Sequence, residues 1–212
     1  MAITIGSSAP NFSLYDSNKN KVFLSDFKGN KNVLLLFFPL AFTGTCTDEL
    51  CAVRDDIARY SNANAQVLGI SVDSVFTLAK YKEEQSYNFP LLSDFNKEVS
   101  TAYETIYESF TPMNMKGVGK RSAFIIDKNG ILVKEWRGVK VDGHVTEVLS
   151  FIQTLSSYSL HAVPSECQPS NICENSNNNW STSFKSTFSA KASPASVSLR
   201  VGVILFSSFS IT

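Results

Sequence analysis

"NVLLLFFPLAFTGTCTDELC", residues 32–51, decides the fold. Its first seven residues make a continuous apolar run ending at Pro39, the pattern of a strand buried on both faces. A short loop follows, and Thr47 to Tyr60 reads as a helix, with Leu50, Val53 or Arg54, Ile57 and Ala58 recurring at three to four. Cys46 therefore falls at the first turn of the helix that leaves a buried strand.

Outward from this stretch the alternation continues. "QVLGISV", Gln66 to Val72, is a second buried strand. Ser74 can cap a helix running through Tyr87, with Leu78 and Tyr81 on one side and Lys82, Glu83 and Glu84 on the other. "FPLLSD", Phe89 to Asp94, reads as a short strand and Lys97 to Tyr107 as a helix. "RSAFIID" and "GILVKEW" flank Asn129-Gly130, a hairpin turn signal. Val145, Val148, Leu149, Ile152 and Leu155 mark a closing helix. The expected order is β-α-β-α-(β)-α-β-β-α: an α/β, thioredoxin-like fold with a mixed central sheet and helices on both faces.

The 212 residues suffice for one domain with a large core. Composition shifts near Leu160. Residues 161–212 hold thirteen serines, the Asn177–Asn179 cluster and five charged residues, with no helical or alternating period. The expected organisation is a folded domain over 1–160 and a disordered Ser/Asn-rich tail over 161–212. A formal net charge of zero without a basic stripe argues against nucleic acid. No run approaches the roughly 20 apolar residues of a membrane span. The opening "MAITIGSSAPNFSL" does not read as a secretory signal. Four cysteines make a disulfide scaffold improbable, so a reducing compartment, the cytoplasm, is expected.

At a helix start, unpaired amides and the macrodipole favour the anionic form of a thiol, which is the nucleophile. A buried cysteine acting as a small hydrophobe is the competing reading, and strand–loop–helix context leaves the two about even. Neighbouring residues have ordinary explanations as well. Thr43 can be a helix cap, Arg121 a solvated strand-end charge, and Glu49 a carboxylate at the helix's positive end. Zinc would require a His-x3–5-His pair to complete Cys-x4-Cys, and His144 and His161 lie too far apart. A thiol–disulfide oxidoreductase would use Cys-x2-Cys, and a cysteine hydrolase needs a histidine base.

Pro39, Thr43 and Cys46 are spaced Pro-x3-Thr-x2-Cys, with Glu49 three places on. This resembles the active-site signature of the peroxiredoxins, the alkyl hydroperoxide reductase and thiol-specific antioxidant family. The likeness runs over residues 3–157 and includes "GSSAPNFSL", "FPLAFTG", "FPLLSD" and "FIIDKNGIL". It implies a thiol peroxidase in which Cys46 attacks a hydroperoxide, Thr43 hydrogen-bonds the peroxide oxygens, Pro39 shields the sulfur and Arg121 completes the site. Glu49 would hold an arginine near the site, with Arg54 a second contact candidate.

The loop looks closer to the alkyl hydroperoxide reductase E group, which lacks a second cysteine. Cys-x4-Cys is similar to the bacterioferritin-comigratory (Q-type) group, in which the second cysteine resolves the first. Cys51 is accordingly the expected resolving residue, with a buried helix-face cysteine as the alternative. Five residues along an intact helix point Cys51 away from Cys46, so a bridge would require the first turns to unwind. The resemblance implies a thioredoxin-like thiol donor as partner, no metal and no organic cofactor, and leaves open a homodimer. A trans role for Cys167 or Cys173 carries little weight. A non-catalytic redox sensor or partner-binding module is the alternative to an enzyme.

Overall fold

The computed structural model describes residues 3–110, 113–138 and 140–159, with side chains of the last helix described to residue 155. In chain order the elements are strands β1 (Ser13–Asp16), β2 (Lys21–Phe23) and β3 (Asn32–Phe37), then helices α1 (Gly44–Asp55) and α2 (Ile57–Asn62). Strand β4 (Ala65–Ser71), helix α3 (Val75–Gln85), strand β5 (Leu91–Ser93) and helix α4 (Glu98–Ala102) follow. Strands β6 (Ile106–Tyr107), β7 (Val118–Gly119), β8 (Ser122–Ile126) and β9 (Leu132–Arg137) lead to helix α5 (His144–Ser159).

One mixed sheet runs β2-β1-β5-β4-β3-β8-β9, with β6 and β7 paired separately. The β3–β4 and β4–β5 pairs are parallel and the rest antiparallel. Strand β3 lies between β4 and β8, and all six of its residues are buried. Its side chains alternate between two cores. Leu34 and Leu36, with Phe38 just beyond the strand, meet Leu50 and Val53 of α1, Tyr60 of α2, Leu78 and Tyr81 of α3, and Val148, Leu149 and Ile152 of α5. Val33, Leu35 and Phe37 meet Phe12, Leu24, Val99 and Tyr103 on the other face. Helices thus cover both faces, four on the first and α4 on the second. Each large apolar side chain buried in this way contributes about 1.5–3 kcal/mol.

Two readings of the sequence need correction, and four short strands add to the expected order. The expected single helix 47–60 begins at Gly44 and breaks at Asp56, which adopts φ −94°, ψ 6°. Consecutive aspartates have low helix propensity and face the negative end of α1, so the chain restarts as α2. The expected helix 97–107 stops at Ala102 because Thr105 returns its N–H and hydroxyl to the Ser100 carbonyl, after Glu104 turns left-handed at φ 55°. The short β1–β2 and β6–β7 ladders carry too few residues to show a period of two. The Asn129-Gly130 turn joins β8 to β9 as expected, with Gly130 at φ 83° and its N–H on the Asp127 carbonyl. Ser74 caps α3 through the Thr77 N–H. The expectation of a disordered tail over 161–212, with Cys167 and Cys173, lies outside the described residues. No described helix is long and apolar enough to cross a membrane.

Candidate active site

The loop from Phe38 to Thr43 carries the chain out of the sheet and into α1. Pro39 lies two residues beyond β3 and is buried. Phe42 takes φ 63°, a left-handed conformation that costs a non-glycine residue on the order of 1–3 kcal/mol. Its ring packs on Tyr81, 4.8 Å between centroids. The Ala41 N–H donates to Asp73 Oδ2 at 2.8 Å, across 32 residues. Thr43 is the N-cap of α1 by backbone, but its side chain does not cap; Oγ1 donates to the Leu40 carbonyl at 3.0 Å. That removes the helix-cap explanation for its hydroxyl.

Cys46 is the third residue of α1, so its N–H belongs to the first turn, whose amides lack upstream carbonyls. The residue is 1% exposed. The Arg121 Nη2 donates to its Sγ at 3.1 Å, and Nη1 donates to Glu49 Oε2 in a buried ion pair. Arg121 stands one residue before β8, and the antiparallel β3–β8 register, which sets Phe37 against Ser122, brings it to the head of α1. Burial works against the guanidinium's charge, but Glu49 and then the Cys46 sulfur outweigh it, and the pKa lies above the ordinary arginine value. Burial raises the Glu49 pKa, against the attraction of Arg121. Three groups separated by up to 75 residues thus form one buried contact chain, carboxylate to guanidinium to sulfur.

Cys51 does not join that chain. It is partly buried on α1, and its Sγ points toward Gln85 Oε1 at 3.8 Å. Five residues of α-helix separate the two sulfurs' positions by about 140° and ~7.5 Å of rise. Both cysteines are free thiols. Arg54 is not a Glu49 contact, which corrects the second candidate. Its guanidinium binds the Gln85 carbonyl at 2.7 Å and Asp55, because its position on α1 faces the end of α3. Among the described residues no cluster of three or more His, Cys, Asp or Glu side chains could hold a metal.

Three further groups at the site carry no local signal in the sequence. Thr47 Oγ1 donates to the Thr43 carbonyl and shares a 2.9 Å hydrogen bond with the Tyr81 hydroxyl. Tyr87 stacks edge-on to Tyr81 at 5.0 Å, and burial, then Tyr81 and Cys51, raise its pKa. His144, at the start of α5, is 4% exposed with Nε2 unpartnered, and its ring stands edge-on to Trp136. Burial lowers its pKa, opposed by Glu147 and reinforced by Arg121.

Residues 5–135 match the AhpC/TSA family. The chain is 38% identical over 158 residues to the peroxiredoxin Bcp of Bacillus subtilis, covering 74% of this chain and 99% of that one. It is 39% identical over 132 residues to alkyl hydroperoxide reductase E of Mycobacterium bovis, covering 61% and 82% respectively. Among solved structures, PrxQ of Xylella fastidiosa superposes with a TM-score of 0.67 at 30% identity, covering 75% of this chain and 99% of that one. Peroxidoxin BcpB of Mycobacterium tuberculosis superposes with a TM-score of 0.66 at 27% identity, covering 72% and 98%.

Proposed function

The chain belongs to the AhpC/TSA family of peroxiredoxins, thiol-dependent peroxidases of thioredoxin-like fold that take a hydroperoxide and a thiol reductant; from that premise we propose that Cys46 is the peroxidatic sulfur. One observation carries the assignment: a guanidinium held by a buried carboxylate donates to that sulfur.

The Cys46 thiolate attacks one peroxide oxygen in line with the O–O bond. An S–O bond forms, the O–O bond breaks, and the departing hydroxide or alkoxide takes up a proton as water or alcohol. Sulfur is oxidised to the sulfenic acid and the peroxide is reduced. Arg121 steadies the negative charge spreading over sulfur and oxygens, and Glu49 fixes its orientation. Thr43 Oγ1, whose proton is directed to Leu40, presents lone pairs to the peroxide hydroxyl. Pro39 keeps water from the sulfur. Hydrogen peroxide and small organic hydroperoxides both fit these demands.

Cys51 then attacks the Cys46 sulfur. A disulfide forms, the S–O bond breaks, and hydroxide leaves as water. Thioredoxin or a similar dithiol donor reduces the disulfide and returns both thiols. We assign this chemistry to residues 1–160 and place it in the cytoplasm, where such donors are abundant. A homodimer is compatible with it, and neither a nucleic acid nor a membrane enters the cycle. The test is the mass of reduced protein after one equivalent of hydrogen peroxide. Wild type loses two hydrogens as the disulfide, and Cys51→Ser gains one oxygen. Cys46→Ser does neither, and continued peroxide consumption by it would sink the assignment.

A further inference from the structure

We propose that Asp73, which the cycle above does not use, is a positioning residue for the peroxide step. The inference rests on the reading of Thr43 as a substrate-binding group. Among the described residues, the Ala41–Asp73 bond is the one hydrogen bond tying residues 39–43 to an element beyond their own loop and helix.

Its leverage comes from peptide geometry. The Ala41 N–H and the Leu40 carbonyl belong to a single planar unit. Asp73 accepts the N–H at one edge of that plane, and the carbonyl at the opposite edge accepts the Thr43 hydroxyl proton. A rotation of the plane would release both bonds and leave the Thr43 hydroxyl free to turn its proton toward the sulfur. With the plane fixed, Oγ1 meets an incoming peroxide as an acceptor.

Asp73 is itself fastened to the sheet. Its Oδ2 also accepts the Ser71 hydroxyl at 2.9 Å, its N–H donates to Ser71 Oγ, and its carbonyl accepts the Ser93 hydroxyl at 2.6 Å. The ends of β4 and β5 therefore set the position of a loop that also carries the left-handed Phe42. A charged acceptor suits the task, because hydrogen bonds to ionised groups are roughly twice as strong as neutral ones.

The test compares two reactions of Cys46 in the reduced full-length chain carrying Cys51→Ser, in which the sulfenate persists and Cys46 is the one thiol on its peptide; that chain with Asp73 in place is the reference. One is sulfenate formation by hydrogen peroxide and the other is alkylation by iodoacetamide, which needs the sulfur but not Thr43. Asp73→Ala slows the peroxide reaction about tenfold and leaves alkylation within about twofold of the reference chain. Asp73→Asn, a weaker acceptor that preserves the fold, slows the peroxide reaction about threefold with alkylation unchanged. The Asp73→Ala/Thr43→Val pair is no slower than Thr43→Val alone, since both act through one hydroxyl. Equal loss of both reactions in Asp73→Asn, or no loss in either, overturns the proposal. A slowed Thr43→Val beside unchanged Asp73 variants overturns the Asp73 role alone. An unchanged Thr43→Val overturns the Thr43 assignment and the Asp73 role with it.

Discussion

Cys46 and Cys51 share helix α1 and live in opposite circumstances. The first is sealed from solvent, fixed by a guanidinium that is itself fixed by a carboxylate. The second is partly exposed and rests on a long contact with a glutamine. On the proposed roles, the tightly bonded thiol is the one that must match a transition state, and the loosely bonded one must reach a partner. The same confinement is an obstacle afterwards. A disulfide requires Cα atoms within about 7 Å and facing Cβ vectors, so the head of α1 must open between the two steps. The bonds from Thr47 to Thr43 and Tyr81 stand in the way of that opening.

The contrast can be broken most sharply at Cys46. Cys46→Ser abolishes peroxide consumption, and a variant that still turns over by coupled assay would assign the chemistry elsewhere. Next in size is the guanidinium. Arg121→Ala slows sulfenate formation by about a hundredfold or more in single turnover. A loss under tenfold would mean the helix start alone activates the sulfur. Cys51→Ser leaves that first step untouched. Steady-state turnover with thioredoxin falls at least about tenfold, because an internal thiol at millimolar effective concentration gives way to a dilute external one. Unaltered turnover would make Cys51 a packing residue and the two thiols functionally unrelated.

Smaller effects sharpen the comparison. Thr47→Val removes a hydroxyl from the closed helix head, lowering stability by about 1 kcal/mol and speeding disulfide formation about fivefold. Slower disulfide formation on rapid-mixing mass analysis would show that Thr47 assists the opening instead. Acid acts at the Arg121 end of the helix through His144, whose protonation burial and Arg121 both oppose. Its folded pKa lies below the ordinary value of 6.5, so its contribution to stability is complete above 6.5 and is lost as pH falls toward the folded value. His144→Gln flattens that part of the profile in denaturant titrations, and an unchanged slope would exonerate the imidazole.

The parts of the fold that could be read in advance are those whose environment is uniform. Strands β3 and β4 lie buried on both faces, and so their central residues, Val33 to Phe37 and Val67 to Ile70, read as apolar runs. The break at Asp56 and the short α4 were hidden because helix propensity is weak there and short-range features, such as the Thr105 bonds to the Ser100 carbonyl, end the run. Arg121 drew attention through family resemblance, while its contact with Cys46 depends on the β3–β8 register, which no local period reports. Arg54 misled for the same reason: its helix position allows several partners, and the end of α3 claims it. Asp73 and Tyr81 reach their partners across 32 and 34 residues, and neither spacing nor composition marks such pairs.

The 75-residue gap between Cys46 and Arg121 also has a meaning in time. During synthesis the cysteine leaves the ribosome long before the arginine that faces it. The Glu49 carboxylate emerges with the cysteine but has nothing to hold. Until β8 lies alongside β3, the nascent chain displays a sulfur without its guanidinium. If Cys46 is the peroxidatic sulfur we propose, it thereby lacks its guanidinium until the chain is whole.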